Sequence, residues 1–295
     1  MKYNNLGLRD RDFPKKRKPG VKRLLFVGSS LLVSPGLEDS ETLPRLLEKK
    51  LRRQGLKVEV INAGVAGHVD IQSYMHLQRL LDAYHPDYVV FMPTVSGSLM
   101  RARFIEKFAV RDETGRPTAI NMNFVRTYNW IPGMEESAKT SIGWQSLYLS
   151  LQAWNRFTLS WGCVRFLTNE ARLTQCLLGD ALAYAEWIAE KTKQAKAKFL
   201  VVAFPGAVNN SLAVSTYVPH RFTKVIGYLT PALTVSSEAY RTEIGRRNLP
   251  VYFFTTENIP KKHGFVGDDL HFDLEGTKFL VDKNWKAFYD FLAKK

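Results

Sequence analysis

Cysteine is nearly absent from this chain of 295 residues: Cys163 and Cys176 are the two it has. Their spacing matches neither a zinc site nor a redox pair, and in helix-like surroundings they read as buried free thiols. Long apolar runs are missing too. A membrane-spanning helix needs roughly 18 uninterrupted apolar residues. The most apolar stretch, Leu147 to Leu167, is broken by Gln152, Asn155, Arg156 and Arg165. The opening residues, MKYNNLGLRDRDFPKKRKPG, are polar and basic and do not form a secretory leader. This leaves two readings open: Met1 is the true start, or it stands where a leader or anchor was removed. No pair among the six histidines has metal-ligand spacing, so neither a metal nor another cofactor is expected.

Acidic residues are also in deficit. The 28 Asp and Glu against 42 Lys and Arg give a net charge of +14, with a pI near 9.7. Such a field attracts anionic partners: nucleic acid, lipid head groups or acidic glycans. No nucleic-acid-binding motif accompanies the charge, so a specific nucleic-acid partner is not expected. One cluster, Lys15 to Lys18 with Lys22 and Arg23, suits an arm that touches an anionic surface. The other, Lys49, Lys50, Arg52 and Arg53, ends an apparent helix, where cations complement the helix dipole.

Hydrophobic residues make up 45% of the chain, enough for a substantial core. Five short apolar runs read as buried strands: Arg23 to Val27, Val58 to Ile61, Tyr88 to Met92, Phe199 to Phe204 and Val251 to Phe254. Between the first two, Leu43, Leu46, Leu47 and Leu51 fall at helical spacing, with Asp39 and Ser40 as candidate caps and Gly55 as the stop. Ile71 to Tyr84, Gly179 to Lys196, Val235 to Arg246 and Leu274 to Leu292 also read as helices. Strands alternating with helices predict an α/β fold: three layers, α/β/α, around a mostly parallel five-stranded sheet of flavodoxin-like type. The expected organisation is a single domain over 1–295. It carries a basic N-terminal arm over 1–21 and a mainly helical insertion over 98–197, where Trp130, Trp144, Trp154 and Trp161 read as core or lid packing.

Gly28, Ser29 and Ser30 follow the first strand directly, which places a hydroxyl beyond the carboxyl end of a parallel sheet, where ligands bind. A serine nucleophile needs a base, and the base needs an orienting group. The segment GDDLHFDLEG supplies both, with Asp268 three residues ahead of His271; Asp269 is the rival orienter, and Asp273 suits a helix cap. His68 is a candidate for lining the site. His76, His85, His220 and His263 read as helix-face or loop residues.

These segments resemble the conserved blocks of the SGNH (GDSL-like) hydrolases. FVGSSLL is similar to their first block, NAGVAG to the second, and GDDLHFDLEG to the D-x-x-H block near the C-terminus. The lead-in NNLGLRDRDFP resembles that of a bacterial subset whose members are often exported or membrane-anchored, which favours an extracytoplasmic or membrane-associated location. The resemblance is dense over 4–92 and 265–281. It implies Ser30 as nucleophile, His271 as general base and Asp268 as its orienter, with the backbone of Ser30 and Gly67 in an oxyanion hole. Two departures stand out. Ser29 occupies the place of the usual Asp, and Ser96 falls where the third block has an oxyanion-binding Asn. Losing such a donor costs roughly 2.7–4 kcal/mol of transition-state stabilisation. Ser96 itself, Thr94, Ser98, Asn209 or Asn210 are the candidate substitutes, and Asn209 is also a candidate substrate contact. The implied activity is hydrolysis of an O-acyl or O-acetyl ester of a glycan or lipid through an acyl-enzyme. The alternatives are an O-acyltransferase using the same triad and an SGNH-type binding protein weakened by the loss of that Asn.

Overall fold

The computed structural model describes residues 2–93, 105–106, 108–121, 172, 181–203, 242–254 and 271–293. The chain runs β1 (Lys22–Gly28), α1 (Ser30–Val33), a 3-10 turn (Asp39–Glu41), α2 (Leu43–Arg53), β2 (Val58–Gly64), α3 (Asp70–Tyr84) and β3 (Tyr88–Phe91). It continues through β4 (Ala109–Arg111), β5 (Pro117–Ile120), α4 (Ala181–Gln194), β6 (Lys198–Ala203), β7 (Val251–Phe253) and α5 (Leu274–Ala293). Five strands pair in the order β2-β1-β3-β6-β7, all parallel, and β4 pairs with β5 in a separate antiparallel hairpin.

Strand periodicity sorts the core into two layers. Leu25, Val27, Ile61, Ala63, Val89, Phe91, Phe199 and Val201 face α3 and α4, whose Tyr74, Leu77, Tyr184 and Ile188 close that side. The alternate residues Leu24, Phe26, Val58, Val60, Val90, Leu200 and Val202 face α1, α2 and α5, meeting Leu32, Leu47, Leu51, Leu280 and Phe288. Both faces of β1 are therefore buried, which is why RLLFV reads as one continuous apolar run. Its leading Arg23 is fully buried as well, donating to the carbonyls of Tyr84 (2.7 Å) and Pro14 (3.0 Å) and pairing with Glu59 (2.8 Å). The three-layer α/β/α fold expected from the sequence is the fold observed.

Two local expectations change. Asp39 and Ser40 do not cap α2: they form the 3-10 turn, and α2 starts one step later, with Thr42 at its N-cap and Pro44 in its first turn. Proline has its φ preset for the first helical turn and lacks the N–H that would go unbonded there, so it fixes the start. The polar stretch around RDETGRPTAI forms the β4–β5 hairpin, closed by an Asp112–Gly115 turn in which Gly115 donates to the Asp112 carbonyl (2.9 Å).

The segment ahead of β1 divides in two. Leu8, Arg9 and Asp10 are buried against the domain, whereas Lys15, Lys16, Arg17 and Lys18 are exposed, Arg17 pairing with Asp87 (2.8 Å). The buried part covers the open edge of the sheet. β2 is an edge strand, and its outward N–H groups lack a strand partner, a liability proteins must cover. Here Val60 N–H donates to Glu48 Oε2 (2.8 Å), Asn62 N–H to Asp10 Oδ2 (2.7 Å) and Gly64 N–H to Asn62 Oδ1 (3.0 Å).

Candidate functional site

β1 ends at Gly28, and Ser30 opens α1 immediately beyond it, at the carboxyl edge of the sheet. His271 comes from the far end of the sequence, in the two-residue approach to α5. That approach is fixed from both sides. Phe272 is buried in the core layer under α5. Asp273 caps the helix, its Oδ1 accepting the Gly276 N–H (2.8 Å) and its carbonyl accepting the Thr277 N–H (2.9 Å). The result is a contact between residues 241 positions apart: His271 Nε2 lies 2.8 Å from Ser30 Oγ. With the imidazole proton on Nδ1, Nε2 accepts from the serine hydroxyl, the geometry a general base requires. Asp268, Asp269, Ser96, Thr94, Ser98, Asn209, Asn210, His220 and His263 lie outside the described residues, as do Cys163, Cys176 and the tryptophans at 130, 144, 154 and 161.

Ser30 sits on a helix of one turn, which has almost no internal bonding to hold it. Its four carbonyls are nonetheless all satisfied. Ser34 N–H donates to Ser30 O (2.9 Å), Ser34 Oγ to Leu31 O (3.2 Å), Asn62 Nδ2 to Leu32 O (2.8 Å) and Arg9 to Val33 O. Ser34 closes the turn in the left-handed region, with φ 51°. On the other side of the site, Val65 to His68 form a tight loop after β2. His68 N–H donates to Val65 O (3.1 Å), Val65 N–H ties the loop to Gly28 O (3.1 Å), and Gly67 takes φ +75°. That dihedral suits glycine, and Gly67 is solvent-exposed at the loop tip.

His68 is partly buried next to this loop, its ring edge-to-face with His76 at 6.1 Å between centroids. Burial, aided by the neighbouring His76, pushes its pKa down to about 4. His76 is shifted down in turn by burial and by Arg79, whose Nη2 lies 2.5 Å from His76 Nε2. Both imidazoles are thereby held towards their neutral forms. Among the described residues, no group of three or more His, Cys, Asp or Glu is arranged to hold a metal ion, and no helix is long and apolar enough to cross a membrane. A cavity of about 490 Å³ opens at the opposite end of the sheet, between His85–Asp87 and Ala195–Lys196; neither Ser30 nor His271 lines it.

Sequence reasoning singled out Ser30 and His271, which the structure brings together, and Gly67, which it places at an exposed loop tip. It passed over Arg9 and Asn62, which bond the carbonyls of the serine's turn, and Asp10, which holds Asn62. Asn62 stands inside the NAGVAG block, so the signal for it was present. Arg9 and Asp10 stood in a segment read for its charge and for the resemblance of its lead-in, with no structural role given to either residue.

Fold and site together define an α/β protein with a serine–histidine pair at the carboxyl edge of a parallel sheet. No family model and no curated protein matches the chain. Among solved structures it is similar to TesA, at 17% identity and a TM-score of 0.47 over 90% of this chain and 98% of that one. It is similar also to the psychrotrophic esterase EstA from Pseudoalteromonas sp., at 16% identity and TM-score 0.47 over 92% of this chain and 100% of that one. A third is a G-D-S-L family lipolytic protein from Desulfitobacterium hafniense, at 10% identity and TM-score 0.44 over 90% and 98% of the two chains. Likenesses this distant leave the chemistry to be argued from the site itself.

Proposed function

We propose that this protein is a serine hydrolase that cleaves a carboxylic ester through an acyl-enzyme on Ser30. The observation that carries the reading is the 2.8 Å contact between His271 Nε2 and Ser30 Oγ at the carboxyl edge of the sheet. In the proposed reaction, His271 Nε2 takes the hydroxyl proton as Ser30 Oγ bonds to the ester carbonyl carbon. The oxyanion of the tetrahedral intermediate is received by the backbone N–H groups of Ser30 and Gly67. The carbon–oxygen bond to the leaving group then breaks, the imidazolium returns its proton to the departing alkoxide, and the acyl group stays on Ser30. Water then enters and gives a proton to His271 Nε2 as its oxygen bonds to the acyl carbon. The bond from that carbon to Ser30 Oγ breaks, the imidazolium returns its proton to Oγ, and the acid leaves. Asp268 is assigned as the group that fixes the imidazole tautomer, and Ser96 as a candidate third oxyanion donor. His68, with Asn209, is assigned to the binding of substrate beside Ser30. The substrate proposed is an O-acyl or O-acetyl group on a glycan or lipid. The exposed cations Lys15, Lys16 and Lys18 suit contact with an anionic surface bearing it.

The test is hydrolysis of short-chain p-nitrophenyl esters by the wild type and by Ser30→Ala, with fluorophosphonate labelling of Ser30. The expected outcome is turnover and labelling in the wild type and a loss of at least 10³-fold in Ser30→Ala. A wild type that neither turns over nor takes the label sinks the reading. Partition of the acyl group between water and an added sugar alcohol separates hydrolysis from acyl transfer.

A further inference from the structure

We infer that Arg9, from the segment ahead of the sheet, is the positioning residue that sets Ser30 against His271. The inference rests on the serine-hydrolase reading above. Its physical basis is a mismatch between what α1 must do and what it can do alone. A four-residue helix fixes several dihedrals for a single internal hydrogen bond, so it is unstable without outside support. Yet Ser30 Oγ has to stay within hydrogen-bond reach of an imidazole delivered by a different part of the chain.

Arg9 supplies that support from within the protein, its side chain 1% exposed. Nη1 donates to the carbonyl of Val33, the last residue of α1, and to that of Ser34 (2.8 Å). Nη2 donates to Leu37 O, and Nε to Asp39 Oδ1 (2.8 Å). One planar guanidinium therefore spans the end of α1, its left-handed closing residue and the turn beyond. Guanidinium geometry is needed for this: a lysine ammonium is a single point of donation and cannot bridge four acceptors spread over residues 33 to 39. The next residue completes the grip. Asp10 accepts from Asn62 N–H (2.7 Å), and Asn62 Nδ2 holds Leu32 O (2.8 Å), so consecutive residues of one segment fix α1 directly and through β2.

The distance at stake is short. Displacing a reacting atom by about 1 Å costs on the order of 10²-fold in rate. Arg9 touches neither Ser30 Oγ nor His271, so its loss acts on kcat through the orientation of α1 and leaves substrate affinity nearly unchanged.

The experiment compares wild type, Arg9→Lys and Asp39→Ala as full chains, on a short p-nitrophenyl ester and on fluorophosphonate. It is run at a temperature where circular dichroism and thermal unfolding show each protein folded. The expected result for Arg9→Lys is a kcat and a labelling rate down 30- to 300-fold, with KM within threefold of wild type. Asp39→Ala, which frees one corner of the guanidinium, is expected to lose three- to tenfold in kcat by the same route. Wild-type kcat in folded Arg9→Lys, or losses confined to KM, overturns the inference and leaves the hydrolase reading standing. Should Arg9→Lys fail to fold, Asp39→Ala decides alone, and a kcat within twofold of wild type overturns the inference. An inert wild type removes both.

Discussion

Gly64 is where the strand bearing one site loop presses against the turn bearing Ser30. A methyl group placed there would lie 2.4 Å from Leu32 Cβ and 3.0 Å from the Ser29 carbonyl. Leu32 is fully buried and cannot retreat, and Ser29 is the residue that delivers Ser30. Gly64→Ala is therefore expected to push α1 outward, destabilising the protein by about 1–3 kcal/mol and lowering ester turnover more than tenfold. Urea unfolding beside steady-state kinetics checks both; unchanged stability and rate would show that α1 has room to move. At this scale the sequence was informative wherever function needs a residue type at a fixed place along the chain. Ser30 after a strand and His271 before a helix stand in segments whose pattern is local. Arg9 reaches carbonyls 24, 25 and 28 residues away, and Asp10 reaches a backbone N–H 52 residues away. No spacing rule encodes such partners, so two buried, bonded residues read as part of a charged arm.

At the scale of the element, β2 shows how an edge strand is made safe. Glu48, buried on α2, bonds the Val60 N–H and sits among three arginines: Arg45 (2.8 Å), Arg11 (3.0 Å) and Arg52 (3.0 Å). Removing the carboxylate leaves a buried N–H without its acceptor and takes a counter-charge from Arg11, Arg45 and Arg52, of which Arg45 keeps its pair with Asp10. Glu48→Ala is expected to cost about 1–3 kcal/mol, the penalty of a buried donor left without its acceptor, with Glu48→Gln intermediate because an amide oxygen still serves Val60. Chemical denaturation reads the order; equal losses would place the effect in the charge, which both variants remove, and not in the hydrogen bond and packing that glutamine keeps. Strands and helices were legible because each buries a face, and burial writes a period into the sequence. The β4–β5 hairpin was not, since its three- and four-residue strands leave Val110, Thr118 and Ala119 exposed and carry no apolar alternation. The start of α2 was missed for a different reason: acidic and hydroxyl residues at 39 and 40 suit a cap, but Pro44 determines which turn is the first.

Across the whole molecule, the buried Asp10 and the partly buried His68 set opposing responses to pH. Burial raises the Asp10 carboxyl from 3.8 to about 6, against the pull of Arg45 and the Asn62 N–H. Burial and His76 lower His68 from 6.5 to about 4. For Asp10 the folded state holds its proton more tightly than the unfolded chain does, so its contribution to stability is complete below about pH 4 and is lost as the pH rises through 6. A gap of that size corresponds to roughly 3 kcal/mol. For His68 the sign is reversed: the folded state refuses a proton that the unfolded chain accepts at 6.5, so stability is complete above that pH and is lost as the pH falls towards 4. Over the same interval one group strengthens the fold on acidification while the other weakens it, and the wild type carries the difference. Removing either unmasks the other. Relative to wild type, Asp10→Asn, whose amide oxygen can still accept from Asn62, is expected to lose stability as the pH falls from 7 to 4.5. His68→Gln is expected to gain stability over the same range. Urea unfolding of the three proteins at pH 7, 6, 5 and 4.5 reads these as differences, in which all other titrating groups cancel. Parallel profiles for wild type and Asp10→Asn would mean that the carboxyl, held by Arg45, titrates in the folded protein as it does in the unfolded chain. In that case the Arg9–Asp10 segment holds α1 and β2 in place equally well at pH 4.5 and at pH 7.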